Sequence, residues 1–318
     1  MAWLRSALSK DTSQMIAAYN ALSPPVRAMS MMLGAMFCFT LMGIFIKLSA
    51  EHVPVMEIVF LRNFLAILII APFVVRSGVS SIKMNRPKLY FGRAFINFIG
   101  MFSGFTAVTL IPLAENTALS FTTPIFVTIG AVIFLGEVIR FRRIMAIIIG
   151  FIGALIILQP GFTEISLGAI LSLVSAFSIA MAVLLVKKMT ASETSTSIVF
   201  WMVAMQAPIA LVPAVLIWEW PNLTGWVYIW GVTIFGTIAH VLFTKACGMV
   251  EVTSLQPLEF AKLPFAVVLA WAIFDEWPGL WIWVGGAIIF AATAYITRRE
   301  ALARQSLKPN HEKKQPPL

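Results

Sequence analysis

The chain repeats itself at a spacing of about 140 residues within a sequence that is almost continuously hydrophobic. Lys47 stands eleven residues before the triplet Ile58-Val59-Phe60, and Lys187 stands eleven residues before Ile198-Val199-Phe200. Pro124 and Pro264 recur at the same offset. A chain built twice from one apolar unit is typical of membrane carriers, whose two halves enclose a binding site between them.

Composition excludes an ordinary soluble domain. Hydrophobic residues make up 60% of the chain and charged residues 12%, with a mean hydropathy of +0.92, whereas a soluble domain has roughly 25% charged residues. The apolar segments are long and do not alternate with polar residues as membrane strands do. Helices therefore remain as the way to satisfy the backbone in lipid, and we predict an all-α integral membrane protein.

Ten apolar stretches approach the length of about 20 residues that crosses a bilayer as a helix. The first five are 30–48, 55–75, 90–110, 113–135 and 144–158, and the second five are 167–186, 197–217, 226–249, 255–274 and 280–296. We predict ten transmembrane helices arranged as two five-helix repeats. The predicted units are an N-terminal tail (1–29), repeat 1 (30–158), repeat 2 (164–298) and a C-terminal tail (299–318).

Basic residues predict the orientation. They cluster in the tails and in every second connection, namely Arg5, Lys10, Arg27, Arg76, Lys83, Arg86, Lys88, Arg93, Arg140, Arg142, Arg143, Lys187, Lys188, Arg298, Arg299, Arg304, Lys308, Lys313 and Lys314. The positive-inside rule then places both termini in the cytoplasm. The connections predicted outside are instead flanked by tryptophans of an interfacial belt: Trp218, Trp220, Trp226, Trp230, Trp277, Trp281 and Trp283.

Because each repeat has an odd number of helices, the second copy is predicted to cross the membrane upside down. The turn after the fourth span supports this inversion. Leu135-Gly136-Glu137 is followed by Arg140, Arg142 and Arg143, whereas the equivalent Asp275-Glu276 is followed by Trp277-Pro278-Gly279 without a base.

Once the bases assigned to the tails and connections are set aside, four remain inside the predicted spans: Lys47, Arg62, Lys245 and Lys262. A charge near the bilayer centre costs roughly 2.5 to 3.5 kcal/mol on the insertion scale, so it normally faces a partner or a wet cavity. Lys47 and Lys245 lie toward span ends, from which their ammonium groups reach the interface. Arg62 lies deeper, and it either bonds carbonyls of a neighbouring helix end or contacts an anionic or carbonyl-bearing group of a substrate.

Five further polar residues are candidates for the substrate site. Glu259 and Lys262 are three residues apart on one helix face, and they form either a structural ion pair or part of a cavity wall. Asn116 and Gln256 are related by the internal repeat, where they either bind substrate or bridge helices by hydrogen bonds. His240 is either a proton relay, because imidazole titrates near neutral pH, or an ordinary hydrogen-bonded histidine.

The sequence disfavours other classes of function. His52, His240 and His311 are scattered, Cys38 and Cys247 lack a metal or redox spacing, and neither a His-Glu-x-x-His nor a Walker motif occurs. We therefore predict no metal, no cofactor and no enzyme. The net charge of +9 comes largely from loops and tails, so it implies no nucleic-acid partner. A channel is disfavoured because pores usually need symmetric subunits or rings of like charge.

Several of these residues together resemble a known family. Lys47, Arg62, Pro124, Leu135-Gly136-Glu137 and the apolar run Gly150-Phe151-Ile152-Gly153-Ala154 look like the EamA family of the drug/metabolite transporter superfamily, over roughly residues 30 to 298. The resemblance implies a secondary transporter with a central cavity between inverted repeats. It also implies alternating access without ATP hydrolysis, in a bacterial inner membrane.

The resemblance also suggests a branch. Residues 243–278 are similar in layout to carriers for S-adenosylmethionine uptake and for riboflavin, so a small organic metabolite of that kind is the expected substrate. Amino-acid and drug/metabolite exporters share the architecture, and export stays an alternative. Coupling to a proton or ion and assembly as a homodimer stay open. Met202 stands opposite Arg62 at the 140-residue offset, so the substrate site is expected to be asymmetric.

Overall fold

The computed structural model describes residues 23–78, 82–135, 141–158, 165–250, 255, 258–259 and 261–305. Within these residues the chain is helical and contains no strand, which confirms the all-α prediction. The helices are α1 (Pro24–Ser49), α2 (Val55–Ser77), α3 (Pro87–Leu110), α4 (Leu113–Ser120), α5 (Thr123–Leu135), α6 (Phe141–Leu158), α7 (Leu167–Met189), α8 (Ser195–Leu216), α9 (Leu223–Met249), α10 (Lys262–Phe274) and α11 (Leu280–Gln305).

Six of the described helices are long and apolar enough to cross a membrane: α1, α2, α3, α7, α8 and α9. Shorter apolar segments are Ile148–Ile157 in α6, Lys262–Phe274 and Leu280–Ala292 in α11. Many large apolar side chains on these helices are exposed, among them Val75, Val212 and Leu216. An exposed apolar surface of this kind suits contact with lipid chains rather than water.

The fourth predicted span is not one helix. The prediction of a continuous span over 113–135 is wrong, because α4 ends at Ser120 and α5 begins at Thr123. Phe121 and Thr122 donate their N–H groups three residues back, to Ala118 and Leu119. Pro124 has no N–H for the carbonyl of residue 120, which removes one bond of the helical ladder at the point where the chain turns.

The ninth predicted span departs from a continuous helix in the corresponding place. Residues 255, 258 and 259 are helical, Ala261 lies in a turn, and α10 begins at Lys262. Pro264 then falls in the first turn of α10, as Pro124 falls in the first turn of α5. Prolines in the first turn are tolerated because that turn has no intrahelical partner for its N–H groups.

The most extensive helix packing joins the first half of the chain to the second. The leading pairs are α1 with α9, α3 with α7, α6 with α11, and α2 with α8. If the two halves are exchanged, α1 becomes α7 and α3 becomes α9, so the first two pairs convert into each other. The pairs α2–α8 and α6–α11 convert into themselves. The packing therefore has the two-fold pattern that an internal duplication predicts.

Small residues allow α3 and α7 to approach closely. Ser175 on α7 donates its hydroxyl hydrogen to the carbonyl of Gly100 on α3, with an oxygen–oxygen distance of 2.8 Å. A Cβ atom added at Gly104 would lie only 2.6 Å from Ser175 Oγ. The Gly-x-x-x-Gly step of the third span therefore serves close helix packing, as its spacing predicts.

Candidate functional site

A cavity of about 220 Å³ lies between the two halves of the chain. Its lining comes from α1, α2, α3, α4 and α5 of the first half and from α7, α9 and α10 of the second. The walls are mainly apolar, with methionine and phenylalanine side chains prominent. A smaller set of polar side chains lines it as well: Thr40, Arg62, Arg93, Asn97, Asn116, Thr117, Ser120, Thr123, Ser172, Ser175, His240, Glu259 and Lys262.

Most of the residues predicted for the site meet at this cavity. Arg62, Asn116, His240, Glu259 and Lys262 all line it, although 197 residues separate Glu259 from Arg62 along the chain. The sixth predicted residue, Gln256, lies outside the described residues. The sequence thus identifies side chains that the fold brings to one cavity, while their part in binding a substrate stays a prediction.

Arg62 projects from α2 and is 1% exposed. Its Nη1 donates to Oδ1 of Asn63 at 2.9 Å, and Asn63 in turn donates to the carbonyl of Val59 at 2.8 Å. Its Nε has no hydrogen-bond partner among the described residues. Across the interface, a Cβ atom at Gly236 of α9 would lie 3.3 Å from that Nε, so the glycine gives the guanidinium room.

Arg93 is a second buried arginine of the cavity, and its placement corrects the sequence analysis. The prediction assigned it to the basic cluster beside the second connection, but it lies inside α3, is 4% exposed and lines the cavity. Its Nη1 donates to the carbonyl of Ile198 on α8 at 2.9 Å. The signal was present, because Arg93 falls within the predicted third span, yet its proximity to Arg86 and Lys88 suggested a surface position.

A polar network beside Arg93 joins α3 to the start of α8. The Tyr90 hydroxyl lies 2.7 Å from the hydroxyl of Ser197 and donates to a carboxylate oxygen of Glu193 at 3.1 Å. The backbone N–H of Asn85 donates to the other oxygen of Glu193 at 3.2 Å. These bonds fix the segment that carries Arg93 against the second half of the chain.

An aromatic wall faces the cavity from α1 and α9. The rings of Phe39 and His240 meet edge to face with centroids 5.1 Å apart, and Phe243 lies 6.4 Å from Phe39. The Lys262 ammonium is 5.4 Å from the centre of the Phe39 ring, within the range of a cation–π contact. This wall offers an aromatic surface with a cation at its edge.

Asn116 makes a hydrogen bond between helices, which is one of the two roles that the sequence suggested for it. Its Oδ1 accepts a hydrogen bond from the Ser172 hydroxyl, which joins α4 to α7 across the two halves. Both residues also line the cavity. Helix bridging and cavity lining are therefore combined in one side chain.

Lys47, which is predicted to reach the membrane interface from a span end, forms an ion pair in the structure. Its ammonium pairs with the carboxylate of Glu276 and lies 5.0 Å from the centre of the Phe274 ring. The same carboxylate accepts from the backbone N–H of Leu113, the first residue of α4, at 3.1 Å. Leu113 and Ile46 line the cavity. The contact group of Lys47, Glu276 and Leu113, which we call the latch, therefore lies at the edge of the cavity. Lys245, by contrast, is exposed.

No group of three His, Cys, Asp or Glu side chains that would suit a metal ion occurs in the described part of the chain. The cavity brings charged, amide, hydroxyl and aromatic groups to the space between the two halves. Few convergent polar groups in a largely apolar cleft are the usual make-up of a small-molecule site.

Comparison with known proteins bears on this arrangement. A sequence model of the EamA-like transporter family matches residues 26–159 and 166–298. One solved crystal structure, 17% identical in sequence, superposes with a TM-score of 0.64 and covers 88% of this chain and 99% of its own. The two family matches divide the chain where the internal repeat does.

Three relatives have been given functions. A riboflavin transporter of Vibrio cholerae is 30% identical over 250 residues, which cover 78% of this chain and 84% of the relative. An S-adenosylmethionine uptake transporter of Rickettsia bellii is 30% identical over 247 residues, 78% of this chain and 85% of the relative. A pseudopaline exporter of Pseudomonas aeruginosa is 26% identical over 273 residues, 83% of this chain and 93% of the relative.

Proposed function

The chain belongs to the EamA-like transporter family, and from that premise we propose that it carries a small organic metabolite across the bacterial inner membrane by alternating access. It is an integral membrane protein and a transporter, not an enzyme, as the family and the named relatives indicate. The observation that carries the proposal is the cavity between the two halves, lined by both of them. A site at a repeat interface is where rocking of one half against the other exposes a solute to each side in turn.

The proposed topology has ten crossings. The six long apolar helices and the shorter ones would supply them, with α4 and α5 forming one discontinuous crossing. Repeat 1 would span 30–158 and repeat 2 would span 164–298 in the opposite orientation, with tails 1–29 and 299–318 in the cytoplasm. The distribution of bases and tryptophans along the chain supports this arrangement.

The proposed substrate is a metabolite of the riboflavin or S-adenosylmethionine kind, taken up by the cell. The names of the relatives that are 30% identical over more than three quarters of this chain support this choice. The apolar and aromatic walls of the cavity suit the flat ring system that such compounds carry. Export is the second candidate, since a relative of similar coverage is a pseudopaline exporter.

Flux into liposomes that contain the purified full-length chain tests the proposal. We expect saturable flux of at least one of a set of flavins, adenosyl compounds and amino acids, accelerated by unlabelled solute on the far side, because a carrier exchanges whereas a simple pore does not. A pH or sodium gradient applied in the same assay reveals coupling. Failure of every solute to show saturable flux would contradict the proposed function.

Arg62→Ala provides the matched test of the site. We expect it to abolish flux while insertion and yield stay normal, since the guanidinium lies at the cavity and not in the lipid-facing surface. Arg76→Ala is the control, because Arg76 is exposed at the end of the same helix. Wild-type flux in the Arg62→Ala protein would reduce Arg62 to a packing role.

A further inference from the structure

The described lining of the cavity contains more positive than negative side chains. Arg62, Arg93 and Lys262 face it with Glu259 as the carboxylate. Protein walls screen charges less than bulk water does, so electrostatic interactions in the cavity are stronger than at an exposed surface. A solute that enters the cavity therefore meets an excess of positive charge.

The two arginines carry donors for which the described residues provide no acceptor. The hydrogen bonds that Arg62 and Arg93 make there end on neutral oxygens, the amide of Asn63 and the carbonyl of Ile198, and each uses only Nη1. Both side chains are more than nine-tenths buried. A guanidinium has five N–H donors arranged to match a carboxylate or phosphate, so each has donors beyond Nη1 for a ligand.

Burial of two such groups is costly in a membrane protein. Each charge costs roughly 2.5 to 3.5 kcal/mol at the centre of a crossing helix. Neither has a basic equivalent in the second repeat, where Met202 and Thr233 stand at the 140-residue offset. The second repeat forms the same helices without an arginine at either equivalent position. The arginines of the first repeat are therefore not required by the fold, which favours a role in binding.

Two further features shape the cavity wall. Thr123, the first residue of α5, and Ser120, the last residue of α4, both lie on it, so the partial positive charge at one helix start is offset by the partial negative charge at the other helix end. The positive charge of the wall therefore comes from its basic side chains. Beside Lys262, Phe39 and Phe243 provide an apolar surface for the rest of a solute.

We infer that the transported solute carries an oxyanion, a carboxylate or a phosphate, bound by the arginines that line the cavity, Arg62 and Arg93, with its apolar part against the aromatic wall of Phe39 and Phe243. This inference rests on the proposed function and narrows its substrate: among flavins it favours a phosphorylated form over riboflavin itself, and among adenosyl compounds it favours S-adenosylhomocysteine over the sulfonium S-adenosylmethionine. Cationic solutes without a carboxylate or phosphate, such as quaternary ammonium compounds, are bound poorly by this cavity.

Matched ligand pairs test the charge preference. The purified full-length chain is titrated with riboflavin against riboflavin 5′-phosphate, with S-adenosylmethionine against S-adenosylhomocysteine, and with phenylalanine against phenylalaninamide, and thermal shift and tryptophan fluorescence are recorded. We expect the more anionic member to bind about tenfold tighter than its partner, a difference of about 1.4 kcal/mol. The phosphate and carboxylate pairs separate the two sources of the oxyanion.

Arg93→Gln tests the assignment of the residue. We expect it to remove most of the preference for the anionic member, whereas Arg86→Gln, at an exposed site just before the same helix, retains it. Arg93→Lys keeps the charge without the paired donors and is expected to retain part of the preference. A role only in holding α8 through Ile198 would lower the stability of the protein without changing the ratio of affinities within a pair.

Several outcomes would overturn the inference. They are equal or reversed affinities within the pairs, an unchanged preference in a folded Arg93→Gln protein, and absence of binding by every anionic member. Saturable flux of a neutral or cationic solute alongside any of these results would leave the proposed function standing and remove only the oxyanion. Loss of saturable flux for all solutes would instead count against the proposed function.

Discussion

Gly236 shows how a residue without a side chain determines the position of one that has a charge. It lies on α9 where α1 and α2 approach, and an added Cβ atom would lie 2.7 Å from Met42 Sδ and 3.3 Å from Arg62 Nε. Contacts below about 3 Å force neighbours to move, and overpacking of this kind typically costs ~1–3 kcal/mol. The guanidinium of Arg62 can occupy its position partly because residue 236 has no Cβ atom.

Gly236→Ala is expected to reduce flux about tenfold, because Arg62 and Met42 must shift within the cavity wall and a tenfold rate change corresponds to about 1.4 kcal/mol. The initial rate of uptake into liposomes measures it. Gly248→Ala on the same helix is the control, since no described residue lies within 4 Å of a Cβ atom there. Its helix propensity improves by roughly 1 kcal/mol, so flux and thermal stability should be unchanged or higher. Equal flux in the two variants would contradict the packing argument.

At the residue scale the sequence predicts the site well where chemistry alone decides and poorly where the depth of a residue along its helix decides. Arg62 and Lys262 stand out because a base in an apolar span needs a reason. Arg93 follows a basic cluster, and it lies on the same side as the exposed Arg86, which precedes the helix, but about two turns further in, where it is buried. Lys47 likewise meets Glu276, 229 residues away, and no local pattern predicts a contact at that distance.

The latch is the feature of interest at the scale of helices. Lys47 on α1 and the N-terminal residue of α4 both bond to Glu276, which follows α10. The carboxylate thereby neutralises an ammonium and satisfies one of the free N–H groups at the start of a helix. It joins the two halves of the protein at the edge of the cavity.

A double-mutant cycle measures the strength of this latch. Lys47→Met and Glu276→Gln should each lower the free energy of unfolding, and the double variant should lose less than the sum, with a coupling of roughly 0.5–3 kcal/mol for side chains in contact. The side chains are 20% and 23% exposed, so solvent screens the pair only in part. Thermal unfolding in detergent provides the values.

Glu51→Gln serves as the control for the cycle, since Glu51 is an exposed carboxylate between α1 and α2. It should leave stability within about 0.5 kcal/mol of the wild type, as is usual for surface substitutions. Strict additivity of Lys47→Met and Glu276→Gln would mean that the ion pair contributes nothing.

The interruption between α4 and α5 marks the limit of sequence prediction for elements. Hydropathy over 113–135 is continuous, and a window long enough to detect a crossing averages over a two-residue turn. Only Pro124 hints at the break, and a proline in a membrane helix produces a kink as often as an end. The internal repeat adds information that hydropathy does not contain, because Pro264, the equivalent of Pro124, also stands at the start of a helix, α10.

At the scale of the whole molecule, the opposite orientation of the two repeats is open to a direct test. The connection between α2 and α3 and the connection between α8 and α9 are equivalent at the 140-residue offset. Inversion places them on opposite sides of the membrane. Lys83 and Trp220 are exposed positions in these two connections.

Single cysteines at these positions, in a chain whose Cys38 and Cys247 are replaced by alanine, are expected to react differently. A membrane-impermeant maleimide added to intact cells should label Trp220→Cys and should reach Lys83→Cys only after the membrane is permeabilised. The parent chain without cysteines controls for background, and transport by that chain controls for folding. Labelling of both positions from the same side would contradict the inverted arrangement.

Helix class, duplication and the meeting of distant polar residues were thus accessible from the sequence, because each depends on composition or on spacing. The helix pairing was not. That α1 packs on α9 and α3 on α7 follows from the shapes of surfaces such as Gly100 and Gly104 against Ser175. In lipid such shape complementarity, rather than hydrophobicity, drives helix association.

The cross-wise pairing of helices has a consequence for biogenesis. When the ribosome has released α1 to α6, each helix is inserted, but the partners with which it packs most extensively have yet to be synthesised. Until then the first half has only its less extensive internal packing, such as α1 with α3 and α2 with α3, and we expect complete assembly to be a late event that requires contacts between residues more than a hundred positions apart. A truncated chain ending near residue 159 should be a substrate for quality-control proteolysis rather than half of a working carrier.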